Sequence, residues 1–274
     1  MHKNLVFTAS DSEVIATTAY YPESNQAQGI VVYVHGFKGF KDWGFVPYIG
    51  SYLANHNFAA ITFNFSHNGI GENLLEFTEE DKFAANTLSR EIRELSEIIT
   101  AIRNNFFNVS GPIGVLGHSR GGGIALLQSA TCADVEAVTT WSSVSTFNRY
   151  SDAVKKSWRE KGYLEVANKR TGQIMRLNTT LLDDIEQNGE MVLNVEKAVA
   201  NMNKPLLVIH GCEDEGVPLA EADAIYAAAG KNITEIIKVE KTGHTFNAAH
   251  PFGGGNPKLD FVLDKTVQFF KKNL

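Results

Sequence analysis

Cysteine is nearly absent from this chain: Cys132 and Cys212 are the only two in 274 residues. Both adjoin apolar segments, so buried free thiols in a reducing compartment are expected rather than a disulfide framework or a redox pair. Long basic runs are missing too. Lys plus Arg total 25 against 31 for Asp plus Glu, a formal net charge of −6, which argues against a nucleic-acid surface. No apolar stretch approaches bilayer-spanning length, and Met1-His2-Lys3-Asn4-Leu5 lacks the apolar core of a secretion signal. A soluble cytoplasmic protein without membrane contact is the expectation. No repeat period is visible, and His, Cys and Asp are not clustered at zinc-ligand spacing, so no metal is expected.

What is present suits a globular interior. The apolar fraction is 43%, with 17 Phe, and the length matches a single domain over residues 1–274 with one substantial core. Leu5-Val6-Phe7 and Val14 to Tyr21 read as a hairpin. Almost wholly apolar runs follow at Gly29 to Val34, Phe58 to Phe65, Pro112 to Leu116, Val135 to Thr140, Leu206 to His210 and Ile233 to Val239. Continuous rather than alternating apolar strands imply a mostly parallel sheet covered on both faces. Helices are expected between them: Val46 to Asn55, one long helix from Phe83 to Phe106, Ile124 to Ala130, Leu219 to Ala229 and Phe261 to Phe270. From about Val144 to Met202 the βα rhythm breaks. Helical pieces at Asp152 to Lys161, Thr179 to Glu186 and Val192 to Ala200, with a short strand or extended link at Gly162 to Arg170, predict a helical cap insertion over the carboxyl ends of the strands.

Between one such strand and the next helix stands Gly117-His118-Ser119-Arg120-Gly121. A serine on a tight strand-to-helix turn projects its hydroxyl, and flanking glycines are needed where a Cβ would strike neighbouring backbone. The alternative is a Gly-rich turn that merely ends a core strand. Serine is a poor nucleophile at neutral pH and needs a base oriented by a third group. His244, in the loop after the last strand, is the expected base, with His250, His67 and His118 as rivals; Asp214, after the strand Leu206 to His210, is the expected acid, with Glu213 as runner-up. The order Ser119, Asp214, His244 is nucleophile, acid, base. An oxyanion would be met by the Arg120 N–H and by the Phe37 N–H in His35-Gly36-Phe37-Lys38-Gly39. That glycine-containing loop lacks the spacing and the Lys-Ser/Thr of a nucleotide-binding loop.

Together HGF at His35 to Phe37, GHSRG at Gly117 to Gly121, HGCEDEGVP at His210 to Pro218 and GHTF at Gly243 to Phe246 resemble the α/β-hydrolase superfamily over almost the whole chain. They are most similar to small bacterial serine esterases of the dienelactone-hydrolase-like and cinnamoyl or feruloyl-esterase-like type. The resemblance implies an α/β-hydrolase fold, a triad of Ser119, Asp214 and His244, and an oxyanion hole of the Phe37 and Arg120 amides. No cofactor is implied. Two departures matter. Ser119 stands where a dienelactone hydrolase carries cysteine, and Asn64-Phe65-Ser66-His67-Asn68-Gly69 lacks the Asp and Arg that many relatives carry there. Amide and hydroxyl hydrogen bonds are expected to hold that loop instead.

The expected activity is cleavage of a small carboxylic ester through an acyl-enzyme, with a moderately hydrophobic or aromatic acyl group. Phe40, Trp43, His67, Tyr150, Trp158 and Leu182 are the candidate pocket residues. The alternatives are a serine peptidase or amidase of the oligopeptidase-like type, for which a β-propeller domain is lacking, and a non-catalytic binding protein on a hydrolase scaffold.

Overall fold

The computed structural model describes residues 1–24, 26–168 and 171–274. In chain order the elements are β1 (His2–Thr8), β2 (Val14–Tyr20), β3 (Ile30–Val34), α1 (Val46–Asn55), β4 (Ala59–Phe63), α2 (Glu80–Ala85), α3 (Leu88–Arg103), β5 (Ile113–His118), α4 (Arg120–Thr131) and β6 (Val135–Trp141). They continue with α5 (Asp152–Lys161), β7 (Tyr163–Ala167), β8 (Ile174–Asn178), α6 (Thr179–Asn188), α7 (Val195–Asn201), β9 (Leu206–Gly211), α8 (Leu219–Ala228), β10 (Thr234–Val239) and α9 (Pro257–Asn273).

An eight-stranded sheet runs β1-β2-β4-β3-β5-β6-β9-β10. The hairpin β1–β2 joins antiparallel to β4, and every pairing from β4 to β10 is parallel. The apolar strand β3 shows why both faces are covered. Ile30, Val32 and Val34 enter one core with α3, α4 and α8, whereas Val31 and Tyr33 enter a second core with α1 and α9. Fully burying one such Val, Leu or Ile side chain stabilises by roughly 1.5–3 kcal/mol. Two layers of helices on a mostly parallel sheet are therefore the direct result of strands without a polar side.

The helix expected from Phe83 to Phe106 is two. Asn86 is extended (φ −64, ψ 146), and the Thr87 side chain caps α3 by accepting the Arg90 N–H. α9 starts earlier than expected, because Asn256 caps it through the Lys258 and Leu259 N–H groups and Pro257 occupies its first turn. Cys132 and Cys212 are free but partly exposed rather than buried.

The segment between β6 and β9 is mixed rather than only helical. β7 pairs antiparallel with β8, and β8, for which no strand was expected, packs against α2. The extended link expected at Gly162 to Arg170 contains β7 over Tyr163–Ala167; Lys169 and Arg170 lie outside the described residues. Asp184 of α6 accepts from the Ser89 N–H and hydroxyl at the start of α3, whereas α7 packs between α4 and α8 as an ordinary crossover helix. Among the described residues no helix is long and apolar enough to cross a membrane.

Candidate active site

Ser119 joins β5 to α4 with φ +59 and ψ −126, left-handed ground that L residues seldom hold. Both flanking glycines are sterically required. A Cβ on Gly117 would lie 2.4 Å from the Gly121 carbonyl oxygen, and one on Gly121 would lie 2.4 Å from the oxygens of Val34 and His35. The turn is closed by the Ser119 N–H donating to Trp141 O at 2.9 Å and the Gly122 N–H donating to Ser119 O at 2.9 Å.

The loop after β3 approaches the same serine. A Cβ on Gly36 would stand 2.8 Å from the Ser119 Cβ, so only glycine permits this spacing. His35 anchors the loop: its Nδ1 donates to Gly36 O at 2.9 Å and its Nε2 accepts the Phe65 N–H at 3.2 Å. The Phe37 N–H meets no acceptor among the described residues. The Arg120 N–H belongs to the first turn of α4, where a helix provides no acceptor of its own. Phe37 and Arg120, each with an unsatisfied N–H, thus line the same cavity as Ser119.

Asp214 and His244 arrive on the turns after β9 and β10. His244 Nδ1 donates to Asp214 Oδ2 at 2.7 Å, which leaves Nε2 as the accepting nitrogen. The other carboxylate oxygen accepts the Gly216 and Val217 N–H groups, each at 2.8 Å. Burial alone would raise the Asp214 carboxyl; hydrogen bonds from His210, His244 and Val217 N–H outweigh it and hold the group well below the usual carboxylate range. Glu213 and Glu215 face solvent, so the runner-up acid makes no contact with the imidazole.

The rival histidines are engaged elsewhere. His118 packs its ring 4.8 Å from that of His244 and donates through Nε2 to His244 O at 2.9 Å; burial pushes it down to about 3. His250 Nδ1 accepts the Gly44 N–H at 2.8 Å. His67 lies beside the Ser66 hydroxyl, whose N–H and oxygen are both held by buried Glu94. The Asn64 and Asn68 amides accept from Lys41 and Ile70 N–H groups, so the loop after β4 is held by amides and a hydroxyl as expected, with Glu94 as an added anchor.

Two cavities meet at this point, of about 290 and 400 Å³, and share Phe37, Lys38, Ser119 and His244. Phe40, Trp43 and His118 line the smaller, together with Asn168 after β7. Arg120, Phe147, Arg149, Tyr150, Leu181 and Ile185 line the larger. Three expected pocket residues therefore require correction. His67 borders neither cavity, because the loop turns it towards Ser66. Trp158 is fully buried with its Nε1 donating to Leu177 O at 2.9 Å, and it meets the pocket only through the Tyr150 ring at 5.2 Å. Leu182 faces the core, while Leu181 and Ile185, one turn apart on α6, face the cavity.

Sequence reasoning missed Glu91. It is buried on α3, takes the Asn86 amide at 2.7 Å, and pairs with the Arg120 guanidinium at 2.5 Å. Its signal was a glutamate, followed by Glu94, within the buried stripe of α3. Among the described residues no group of three or more His, Cys, Asp or Glu is placed to hold a metal ion.

A serine on a strained strand-to-helix turn of a doubly covered, mostly parallel sheet, with a hydrogen-bonded histidine and carboxylate on the turns after its last two strands, is the arrangement of a hydrolase-type scaffold. The chain belongs to the alpha/beta hydrolase family, whose profile matches residues 31–253. Among solved structures it is similar to the esterase domain of a Rhodothermus marinus protein, at 18% identity and TM-score 0.68, covering 100% of this chain and 99% of that one. It is also similar to Est1E of Butyrivibrio proteoclasticus with ferulic acid bound, at 16% identity and TM-score 0.74, covering 98% of both chains. Mouse alpha/beta hydrolase domain-containing protein 10 is similar at 14% identity and TM-score 0.74, covering 98% of this chain and 99% of that one. At these identities the likeness is one of fold. No curated protein matches the sequence.

Proposed function

We propose that the protein is a serine hydrolase that cleaves carboxylic esters through an acyl-enzyme. The observation that carries this reading is the His244 Nδ1 to Asp214 Oδ2 bond of 2.7 Å, made by an imidazole that borders the same cavities as the elbow serine. Ser119 Oγ attacks the ester carbonyl while His244 Nε2 takes its proton. The oxyanion forms against the Phe37 and Arg120 N–H groups. His244 then gives the proton to the departing alkoxide, leaving Ser119 acylated. Water, deprotonated by the same Nε2, attacks the acyl carbonyl and releases the acid with regeneration of the serine. Asp214 stays ionised throughout and keeps the proton of His244 on Nδ1.

The segment from about 144 to 202 acts in this reading as a cap, since Phe147, Tyr150, Leu181 and Ile185 wall the larger cavity. Phe37, Phe40 and Trp43 around the smaller one favour a moderately hydrophobic or aromatic group, and the ferulic acid held by Est1E is compatible with that class.

Ser119→Ala tests the nucleophile. With a short aryl ester, steady-state turnover should drop by roughly three orders of magnitude or more, with thermal unfolding unchanged within a few degrees. Turnover within about tenfold of the parent would remove Ser119 from the role.

A further inference from the structure

The larger cavity carries a charge pattern that a purely apolar acyl pocket does not require. Lys38, Arg120 and Arg149 line it, and no Asp or Glu does so among the described residues, although the whole chain has a net charge of −6. The acids that pair with the two arginines stand behind them. Glu91 is buried under Arg120, and Glu221 meets Arg149 Nη2 at 3.2 Å from outside the cavity lining. Arg149 also uses that Nη2 on Gly216 O at 3.0 Å, which fastens it beside the turn that bears Asp214.

Tyr150 lines the same cavity as these cations. Its ring packs edge-on against Trp158 at 5.2 Å, so its position is fixed by the core. Its hydroxyl has no hydrogen-bond partner among the described residues and feels the charges of both Arg120 and Arg149. A phenol donor sharing a cavity with two guanidinium groups, and with no carboxylate in the lining among the described residues, is chemistry for binding an anion. A neutral alkyl chain would leave the Tyr150 hydroxyl and the exposed arginine edges dehydrated and unpaired, at a cost.

We propose that the half of the ester lodged in this cavity carries a carboxylate, bound by Tyr150 Oη and Arg149 with Arg120 behind them. The preferred substrates are then half-esters of dicarboxylic acids, or esters of hydroxy acids, rather than simple alkanoates. This rests on the ester-hydrolase reading above and adds a specificity to it. Lys38, whose Nζ donates to Ala167 O at 2.9 Å, adds positive potential to the same cavity.

Two matched series test the idea on the whole protein at physiological salt, with product acid followed by chromatography. In the first, monoethyl glutarate and monoethyl adipate are compared with ethyl valerate and ethyl hexanoate. In the second, the butyrate ester of 5-hydroxypentanoate is compared with pentyl butyrate. In one of the two series kcat/KM for the anionic member should exceed that of its neutral partner by roughly tenfold or more. Tyr150→Phe, which keeps the ring on Trp158, and Arg149→Gln should each pull that ratio towards one, and Arg149→Lys should retain part of it. Parity or a neutral preference in both series overturns the inference while leaving the esterase reading intact. An anionic preference that survives unaltered in both variants also overturns it, since the anion would then bind elsewhere. If no ester in either series is turned over, the esterase reading fails and this inference with it.

Discussion

The guanidinium of Arg120 lies 4.6 Å above the ring of Phe37. Two residues that line the serine's cavity and carry unsatisfied N–H groups are therefore joined through their side chains. Phe37 is stacked in turn on Phe83 at 5.5 Å, and Arg120 is held by buried Glu91. Burial pushes the Glu91 carboxyl up, and the Arg120 charge works against that shift. Removing one oxyanion donor outright costs on the order of 10²–10³ in kcat elsewhere. Glu91→Gln, which loosens the anchor and leaves both amides in place, is expected to lower kcat by roughly tenfold or more with KM changed much less. A loss of ground-state binding would appear instead as a raised KM with kcat unchanged, and an unchanged kcat would dismiss Glu91 as a positioning residue.

For the acid, Asp214→Asn is expected to cost roughly 10⁴ in kcat, because an amide in that place favours the wrong imidazole tautomer. Glu213→Gln and Glu215→Gln should cost little, as both side chains face solvent. Comparing kcat/KM for the three variants decides it; a larger loss at Glu213 transfers the role.

Leu182 and Ile185 share α6 and one buried cluster, but only Ile185 borders the larger cavity. Leu182→Ala should destabilise by about 2–5 kcal/mol in denaturant titration, as a buried leucine leaves a cavity, with the acyl preference of the enzyme unmoved. Ile185→Ala and Leu181→Ala, on the cavity wall, should shift preference among acetyl, butyryl and octanoyl esters. A shift with Leu182→Ala and none with the other two would reverse the assignment.

Two neutral buried histidines set an acid limit. Burial pushes His35 down to about 4 and His118 down to about 3, from an ordinary value of 6.5. Below 6.5 the unfolded chain takes up protons that the folded one refuses, so this stability is complete above that pH and is lost as pH falls towards 4. The Tm should decline from pH 7 to pH 4, and His118→Gln should flatten the decline. A slope identical to that of the parent would place the acid sensitivity in other groups.

How much was legible before the structure depends on what each residue had to say locally. The elbow could be read because Gly117 and Gly121 answer to backbone oxygens within a few residues or on the adjacent strand end. α1 and α5 matched their expected limits, since each has an amphipathic run and a clear stop: His56-Asn57 after one and Gly162, at φ +81, after the other. The break between α2 and α3 was hidden by apolar periodicity running through Asn86-Thr87, a pair whose capping role overrode it. β8 was hidden differently. Met175 and Leu177 are buried and Arg176 exposed, but an apolar Ile174 on the exposed side blurs the alternation. The pocket was least legible, because Leu181 and Leu182 are chemically alike and only the rotation of α6 distinguishes wall from core.

The backbone of Ser119 sets a limit of another kind. Its φ of +59 with ψ −126 costs on the order of 1–3 kcal/mol for a residue with a Cβ. Glycine would occupy that ground freely, and would delete the hydroxyl in doing so. The sturdiest version of this fold and the version that keeps the Ser119 hydroxyl are different sequences. Selection for heat resistance alone would drift away from chemistry at residue 119.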